Sequence, residues 1–314
     1  MTSATFVGLD VSKSQIDGVV RPGDAVLSVP QTEDGIAGLV SQLRVLKPTL
    51  IVLEATGGYE LNAATALALA ALPVAIVNPR QVRDFAKALG RLAKTDAIDA
   101  YVLALFAERV RPEPRGLPDD AHQQLAAIIG RRRQLVEMLV AERNRLLLAR
   151  QAVRADLRPH IRWLERRLGD IDGQIAMAIR QSPLWRAQEN LLRSVPGVGP
   201  VTASAIIVGL PELGRIPRRQ IAALVGCAPL NNDSGQRRGR RSTWGGRATI
   251  RGVLYMATLV AARWNPVIRA FYRRLRAAGK PPRVAVIAAM RKLLTILNAI
   301  IKNQTPWSSP ADAT

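Results

Sequence analysis

The chain has 314 residues, 48% of them hydrophobic, and carries 45 Lys+Arg against 24 Asp+Glu for a formal net charge of +21. That apolar fraction excludes general disorder, and the length suits two or more domains at roughly 100–200 residues each. Residues 1–100 hold 9 basic and 10 acidic side chains while the remainder holds 36 and 14, so a near-neutral module precedes a basic one suited to a polyanion; a non-catalytic nucleic-acid binder shares that composition.

The first module alternates short β-like runs with helical patterns. Thr5–Leu9, Ile16–Val20 and Val26–Val29 read as successive strands, the last two joined by an Arg21-Pro22-Gly23-Asp24 turn. A helix follows over Glu33–Leu46, with Ile36, Leu39, Val40 and Leu43 at helical spacing. Then come a buried strand at Leu50–Leu53, a helix at Leu61–Leu72, a strand at Val74–Val77 and a helix from about Thr95. Three antiparallel strands followed by alternating helix and strand is the order of a ribonuclease H-like α/β domain, although other α/β folds share the pattern.

Pro112, Pro114, Gly116 and Pro118 punctuate the chain, and the first boundary is placed there, with domains over 1–112, 113–188 and 189–314. The middle region is helical. Leu125, Ile128, Leu135 and Leu139 form one stripe, interrupted by Arg132 and Glu142. A second helix after Pro159 carries a seam of Leu157, Ile161, Leu164, Leu168, Ile171, Ile175 and Ala178, which fits a coiled-coil hairpin, a dimerisation arm or packing within one monomer. From Leu191, helix, Pro196-Gly197-Val198-Gly199 and helix follow in turn. This is a helix-hairpin-helix-like pattern that offers backbone N–H groups to a phosphate, or a plain αα-turn. The rest, from Ser234 to Ala311, has 16 basic residues and no acidic one, with a mainly helical pattern.

Cys227 is the lone cysteine and there are two His, which excludes an internal disulfide and a Cys/His zinc site and suits a reducing cytoplasm. The start, MTSATFVGLD, lacks the pattern of a secretory signal. The longest apolar stretch, Leu61 to Val77, is broken at Pro73 and falls short of a membrane span; no membrane partner is expected.

Four carboxylates stand out. Asp10 and Glu54 end apolar strands, where sites assemble in an open α/β sheet; Asp96 and Asp99 are three apart near a helix start and share a face. Together they offer oxygen ligands for one or two Mg²⁺ ions. The helix dipole alone favours Asp96 and Asp99, and Asp10 also suits a turn or a phosphate-binding strand–turn–strand. Glu54 directly after Ile-Val-Leu is costly to bury without a partner. Ser234, between Asp233 and Gly235, reads as a turn residue. Arg237, Arg238, Arg240 and Arg241 follow it, either as a solvated loop or as phosphate contacts.

GLDVSK, LEATGGYE, VNPRQVRDFAKALG-RLAKTDAIDA, SVPGVG and DSGQRRGRR…GGRATIRGVLYMA occur here in order. Over residues 5–305 they resemble the insertion-sequence transposases of family 110, the DEDD type, which are related to certain site-specific DNA invertases. The resemblance implies a RuvC-like N-terminal domain with a metal-binding catalytic tetrad on Asp10, Glu54, Asp96 and Asp99, taking Mg²⁺ with Mn²⁺ as a substitute. It makes Ser234 a nucleophile that forms a transient phosphoserine–DNA link, activated from the metal-bearing domain or by Asp233. Nucleic-acid contacts are expected from Lys94, Gly197, Gly199, Arg237, Arg238, Arg240, Arg241, Arg247 and Arg251. It further implies DNA as substrate, a guide RNA from the element, and a dimer or tetramer with composite sites. The rivals are a junction-resolvase-like nuclease using water, with Ser234 a bystander, and a non-enzymatic nucleic-acid-binding scaffold.

Overall fold

Short apolar runs bounded by turn residues become strands because each is buried on at least one face. In the computed structural model, which describes residues 4–91, 96–114, 119–235, 237–239 and 241–309 apart from the side chains of Asp96, Ala97 and Arg238, these runs are β1 (Phe6–Val11), β2 (Gln15–Arg21), β3 (Ala25–Pro30), β4 (Leu50–Glu54) and β5 (Val74–Val77). They form one sheet in the order β3-β2-β1-β4-β5. The first three strands pair antiparallel, while β4 runs parallel to both β1 and β5. The mixed α/β reading of the first module thus holds.

Two layers of helices cover this sheet. On one face α1 (Glu33–Leu46) and α2 (Glu60–Leu69) set Leu39, Leu43, Ala63 and Leu67 against Val7, Leu9, Ile51 and Leu53. The Thr32 hydroxyl caps α1 by accepting from the Gly35 N–H. On the other face α3 (Pro79–Ala88) and α4 (Asp96–Val110) set Val82, Ala86, Leu103 and Phe106 against Phe6, Leu50 and Val52. The sequence reading missed α3, whose Asn78 side chain accepts from the Arg80 N–H ahead of a first-turn Pro79. Gly8 lets α4 lie directly on β1, since a methyl group there would overlap the backbone of Ala100, Leu103 and Ala104. Phe106 meets the cluster around Phe6 at the start of β1, so α4 runs antiparallel to β1 and its first turn lies toward Asp10.

The chain divides into two compact units, 1–119 and 120–314. In the second, α5 (Asp120–Leu148) and α6 (Gln151–Gln181) form an antiparallel hairpin. α6 begins well before Pro159, which lies inside it, a correction to the expected start. Ile161, Leu164, Ile171 and Ile175 are buried against Leu125, Leu135 and Leu139, so the seam considered for a dimerisation arm is taken up within the monomer. The residues that interrupted the α5 stripe form ion pairs: Arg132 Nε lies 2.5 Å from the Asp172 carboxylate, and Glu142 accepts from Arg145 at 2.8 Å.

The rest comprises α7 (Pro183–Arg193), α8 (Pro200–Gly209), α9 (Arg218–Val225), β6 (Asp233–Ser234), β7 (Arg237–Arg238), α10 (Ala248–Trp264), α11 (Pro266–Ala277) and α12 (Pro282–Asn303). Leu192, Ile206, Ile221, Leu254, Ala261 and Leu293 belong to its core. Trp185 and Val208 pack onto the α5–α6 cluster, within the same compact unit. The 22-residue α12 is long and apolar enough to cross a membrane by length and composition, which the focus on Leu61–Val77 overlooked. Its Ala289, Met290, Leu293, Leu294 and Leu297 are buried in this core, so it packs as a core helix.

Candidate functional sites on two units

Parallel pairing of β1 with β4 runs Gly8↔Val52 and Leu9↔Leu53, and the next step sets Asp10 beside Glu54. Alternation places both carboxylates on the face that α4 covers. Asp99 stands one turn before Leu103 on that helix, so Asp10, Glu54 and Asp99 share one sheet face and one strand end. Among the described residues, no group of three or more His, Cys, Asp or Glu side chains stands together as a metal-holding cluster; the Asp96 side chain and all of Lys94 lie outside the described residues. Register therefore brings Asp10 and Glu54 to one face, while convergence of all four carboxylates on a shared ion is not seen.

Two acidic residues were missed. Asp17 pairs with Asp10 across β1 and β2, on the same face; its carboxylate accepts from Ser28 Oγ at 2.7 Å and Gln15 Nε2 at 3.0 Å. Only the hairpin register reveals it. Glu60 is buried and closes the loop after Glu54, accepting from the N–H groups of Thr56 (3.0 Å) and Gly58 (2.9 Å). Its signal was in view as the last residue of LEATGGYE.

In the second unit Ser234 is exposed near the end of a short hairpin, opposite Arg237, with Asp233 opposite Arg238. Directly opposed side chains share a face and adjacent ones do not. Ser234 is thus accompanied by Arg237, and Asp233 points to the other face, which argues against Asp233 as its base. Arg241 is exposed, whereas Arg240 and the side chain of Arg238 lie outside the described residues.

The base of this loop is built by residues expected to touch nucleic acid. Arg247 forms a bidentate pair with Glu212, both contacts 2.6 Å, and donates to the Gly209 carbonyl at 2.9 Å. Arg251 donates to the carbonyls of Val225 and Gly245. Gly226 and Gly246, at φ 78° and 68°, leave room for the chain to pass where a methyl on either would overlap the other segment's backbone. Arg247 and Arg251 thus fasten both ends of the segment that carries Ser234. Gly197, at φ 104°, packs against Ala261 of α10, while Gly199 is the exposed N-cap of α8; of the two glycines only Gly199 faces solvent at the helix N-terminus.

Two family profiles match the chain: a DEDD-type IS110 transposase profile over residues 7–149, and a profile described as transposase IS116/IS110/IS902 family over residues 189–273. The chain belongs to the IS110 family of transposases. The first match spans Asp10, Glu54, Asp96 and Asp99; the second spans Ser234 and the arginines after it. A pilin gene-inverting protein from Moraxella bovis is 27% identical over 97% of this chain and 98% of its own length. An insertion element IS110 protein of 43.6 kDa from Streptomyces coelicolor is 26% identical over 44% of this chain and 34% of its own. The RuvC of T. thermophilus, solved with a Holliday junction substrate, aligns at a TM-score of 0.29 and 16% identity over 36% of this chain and all of its own; the strand order, not that alignment, carries the fold. As a family member the chain is a DNA transposase/recombinase, and its DEDD chemistry implies a divalent metal.

Proposed function

We propose that this IS110-family transposase cleaves and rejoins insertion-sequence DNA by joining a RuvC-like, Mg²⁺-binding first unit to a serine nucleophile in the second. The observation that carries the reading is the pairing of sequence blocks with position: Asp10 and Glu54 in register at one strand end, Ser234 exposed opposite Arg237. Asp10, Glu54, Asp96 and Asp99 would hold the ion, a donor set of hard oxygens suited to Mg²⁺ or Mn²⁺. Bound there, the metal would supply Lewis-acid polarisation of a phosphate oxygen. The Glu60 carboxylate fixes the loop after Glu54, and α4, seated on Gly8, fixes the height of Asp99.

Ser234 Oγ forms a bond to phosphorus as the strand's P–O ester bond breaks, and the hydroxyl proton ends on the departing strand's oxygen. The phosphodiester count is unchanged, so the strand is rejoined by the reverse step without an energy source. Arg237, on the same face, neutralises the phosphate under attack. The open N-terminus of α8 at Gly199 supports a helix-hairpin-helix contact to a backbone phosphate, and the α5–α6 hairpin supports a coiled-coil arm. A guide RNA and a second protomer belong to the same reading through the family resemblance alone; the charge of +21 suits RNA and DNA equally.

The test is Ser234→Ala with element-end DNA and Mg²⁺. Cleavage and the covalent adduct should both vanish while DNA affinity stays nearly intact, because one neutral hydroxyl adds little to a complex held by arginine–phosphate contacts. Undiminished cleavage would make water the nucleophile and the protein a resolvase-like nuclease.

A further inference from the structure

α11 buries Ile268 and half-buries Phe271 and Leu275, leaving Arg269, Ala270, Arg273, Arg274 and Ala277 exposed. Small alanines between arginines let a helix approach a polyanion closely. The Phe271 ring holds two cations at once: the Arg274 guanidinium 5.2 Å and the Lys292 ammonium of α12 4.9 Å from its centroid. Both are therefore within about a Debye length of one another at 0.1 M salt. Between Ser234 and Ala311 there is no Asp or Glu, and none of these cations has an ion pair among the described residues. The attraction of each cation to the ring face holds like charges together, and a polyanion would relieve their repulsion. The arrangement is organised rather than a solvated charge run, because the ring fixes where the cations stand.

We propose that the α11–α12 surface carrying Arg274 and Lys292 at the Phe271 ring, continued around the exposed side of α11 by Arg273 and Arg269, is a binding surface for the backbone of duplex DNA, distinct from the Ser234 hairpin. Arg274 and Lys292 lie beyond the matched profile segment, which ends at 273. The inference rests on the family's DNA substrate. The surface reads no bases: its contribution is affinity and register for DNA beyond the reacting strands, through phosphate neutralisation and counterion release.

The experiment uses the full chain and a random-sequence DNA duplex, with binding measured by fluorescence anisotropy across 50–200 mM salt. Each neutralised phosphate contributes about 0.9 to the log–log slope. Arg274→Gln/Lys292→Gln should therefore lower the slope by about 1.8, so that the fourfold salt rise weakens the wild type about 12-fold more than the variant. Arg269→Gln/Arg273→Gln, on the exposed face, should do the same, which keeps the test valid if the first pair perturbs folding. Unchanged slopes in both variants would overturn the proposal while wild-type duplex binding left the family's DNA reading standing. Absence of wild-type duplex binding would overturn both. A loss confined to an RNA duplex probe would overturn the commitment to DNA.

Discussion

Arg247 is the residue whose two readings differ most in consequence. If it fastens the Ser234 segment, removing Glu212 should damage the protein in the absence of DNA. The pair has two contacts of 2.6 Å with side chains 32% and 18% exposed. That places it between exposed ion pairs, worth about 0.2–1 kcal/mol, and buried pairs that cost about 3–5 kcal/mol when one partner is removed. A coupling of about 1.5–2 kcal/mol is expected from a double-mutant cycle of Glu212→Gln and Arg247→Gln, read by urea unfolding. For a unit of this size each kcal/mol moves the midpoint by about 2–4 °C, so either single variant should melt about 5 °C lower. DNA cleavage should fall in both single variants, because the loop base is loosened, while the salt slope of DNA binding stays within about 0.3 of wild type. A phosphate-contacting Arg247 behaves otherwise: Arg247→Gln would lower the slope by about 0.9 and Glu212→Gln would free the guanidinium and tighten binding. A coupling below about 0.5 kcal/mol, accompanied by that slope change, would refute the clamp.

Gly197→Ala should destabilise the second unit by about 3 kcal/mol, combining left-handed strain with overpacking against Ala261, whereas Gly199→Ala, with open space around it, should be nearly neutral; equal effects in chemical denaturation would contradict the packing. Leu164 is fully buried in the α5–α6 hairpin, so Leu164→Ala should cost about 3 kcal/mol, and an altered oligomer with unaltered stability would restore the dimerisation-arm reading. In the first unit the hydrogen bond from Arg21, foremost, holds the Glu108 carboxyl below its ordinary value. Its stabilising contribution is therefore complete above the unfolded-state pKa and is lost as pH falls through the lower folded one. Glu108→Gln should flatten the acid limb of unfolding followed by circular dichroism, and an unchanged limb would show that the pair does not matter.

The fold was legible where burial and periodicity agreed. The five strands and α1 emerge within a residue or two because apolar runs, a Pro-Gly turn and a Thr cap coincide. α3 has only Val82 and Ala86 fully buried, too sparse a stripe to register as a helix. The start of α6 was misread because a proline ordinarily ends a helix. Pro159 and Ala155, whose carbonyl loses its helical partner, are both exposed, so the missing bond is not buried. The sequence separates the α5–α6 hairpin from the C-terminal region at 188, but it carries no local signal that Trp185 packs on both clusters.

At the sites, chemistry that sits at the end of an element was visible and chemistry created by register was not. Asp10 and Glu54 follow apolar strands, so each announces itself. Asp17 becomes their neighbour only when β1 and β2 pair, and no spacing rule spans that hairpin. Charge was the less faithful guide. An arginine in a basic run looks the same whether it meets a phosphate, as proposed for Arg237, or a carboxylate many residues away, as Arg247 does with Glu212. A net charge of +21 therefore does not say which cations meet phosphates. Arg21, Arg132, Arg247 and Arg251 already have partners within the chain, and binding must come from cations with no carboxylate in reach. In the second unit these concentrate after Ser234, where the sequence supplies no acid of its own and Arg247 is held by the distant Glu212.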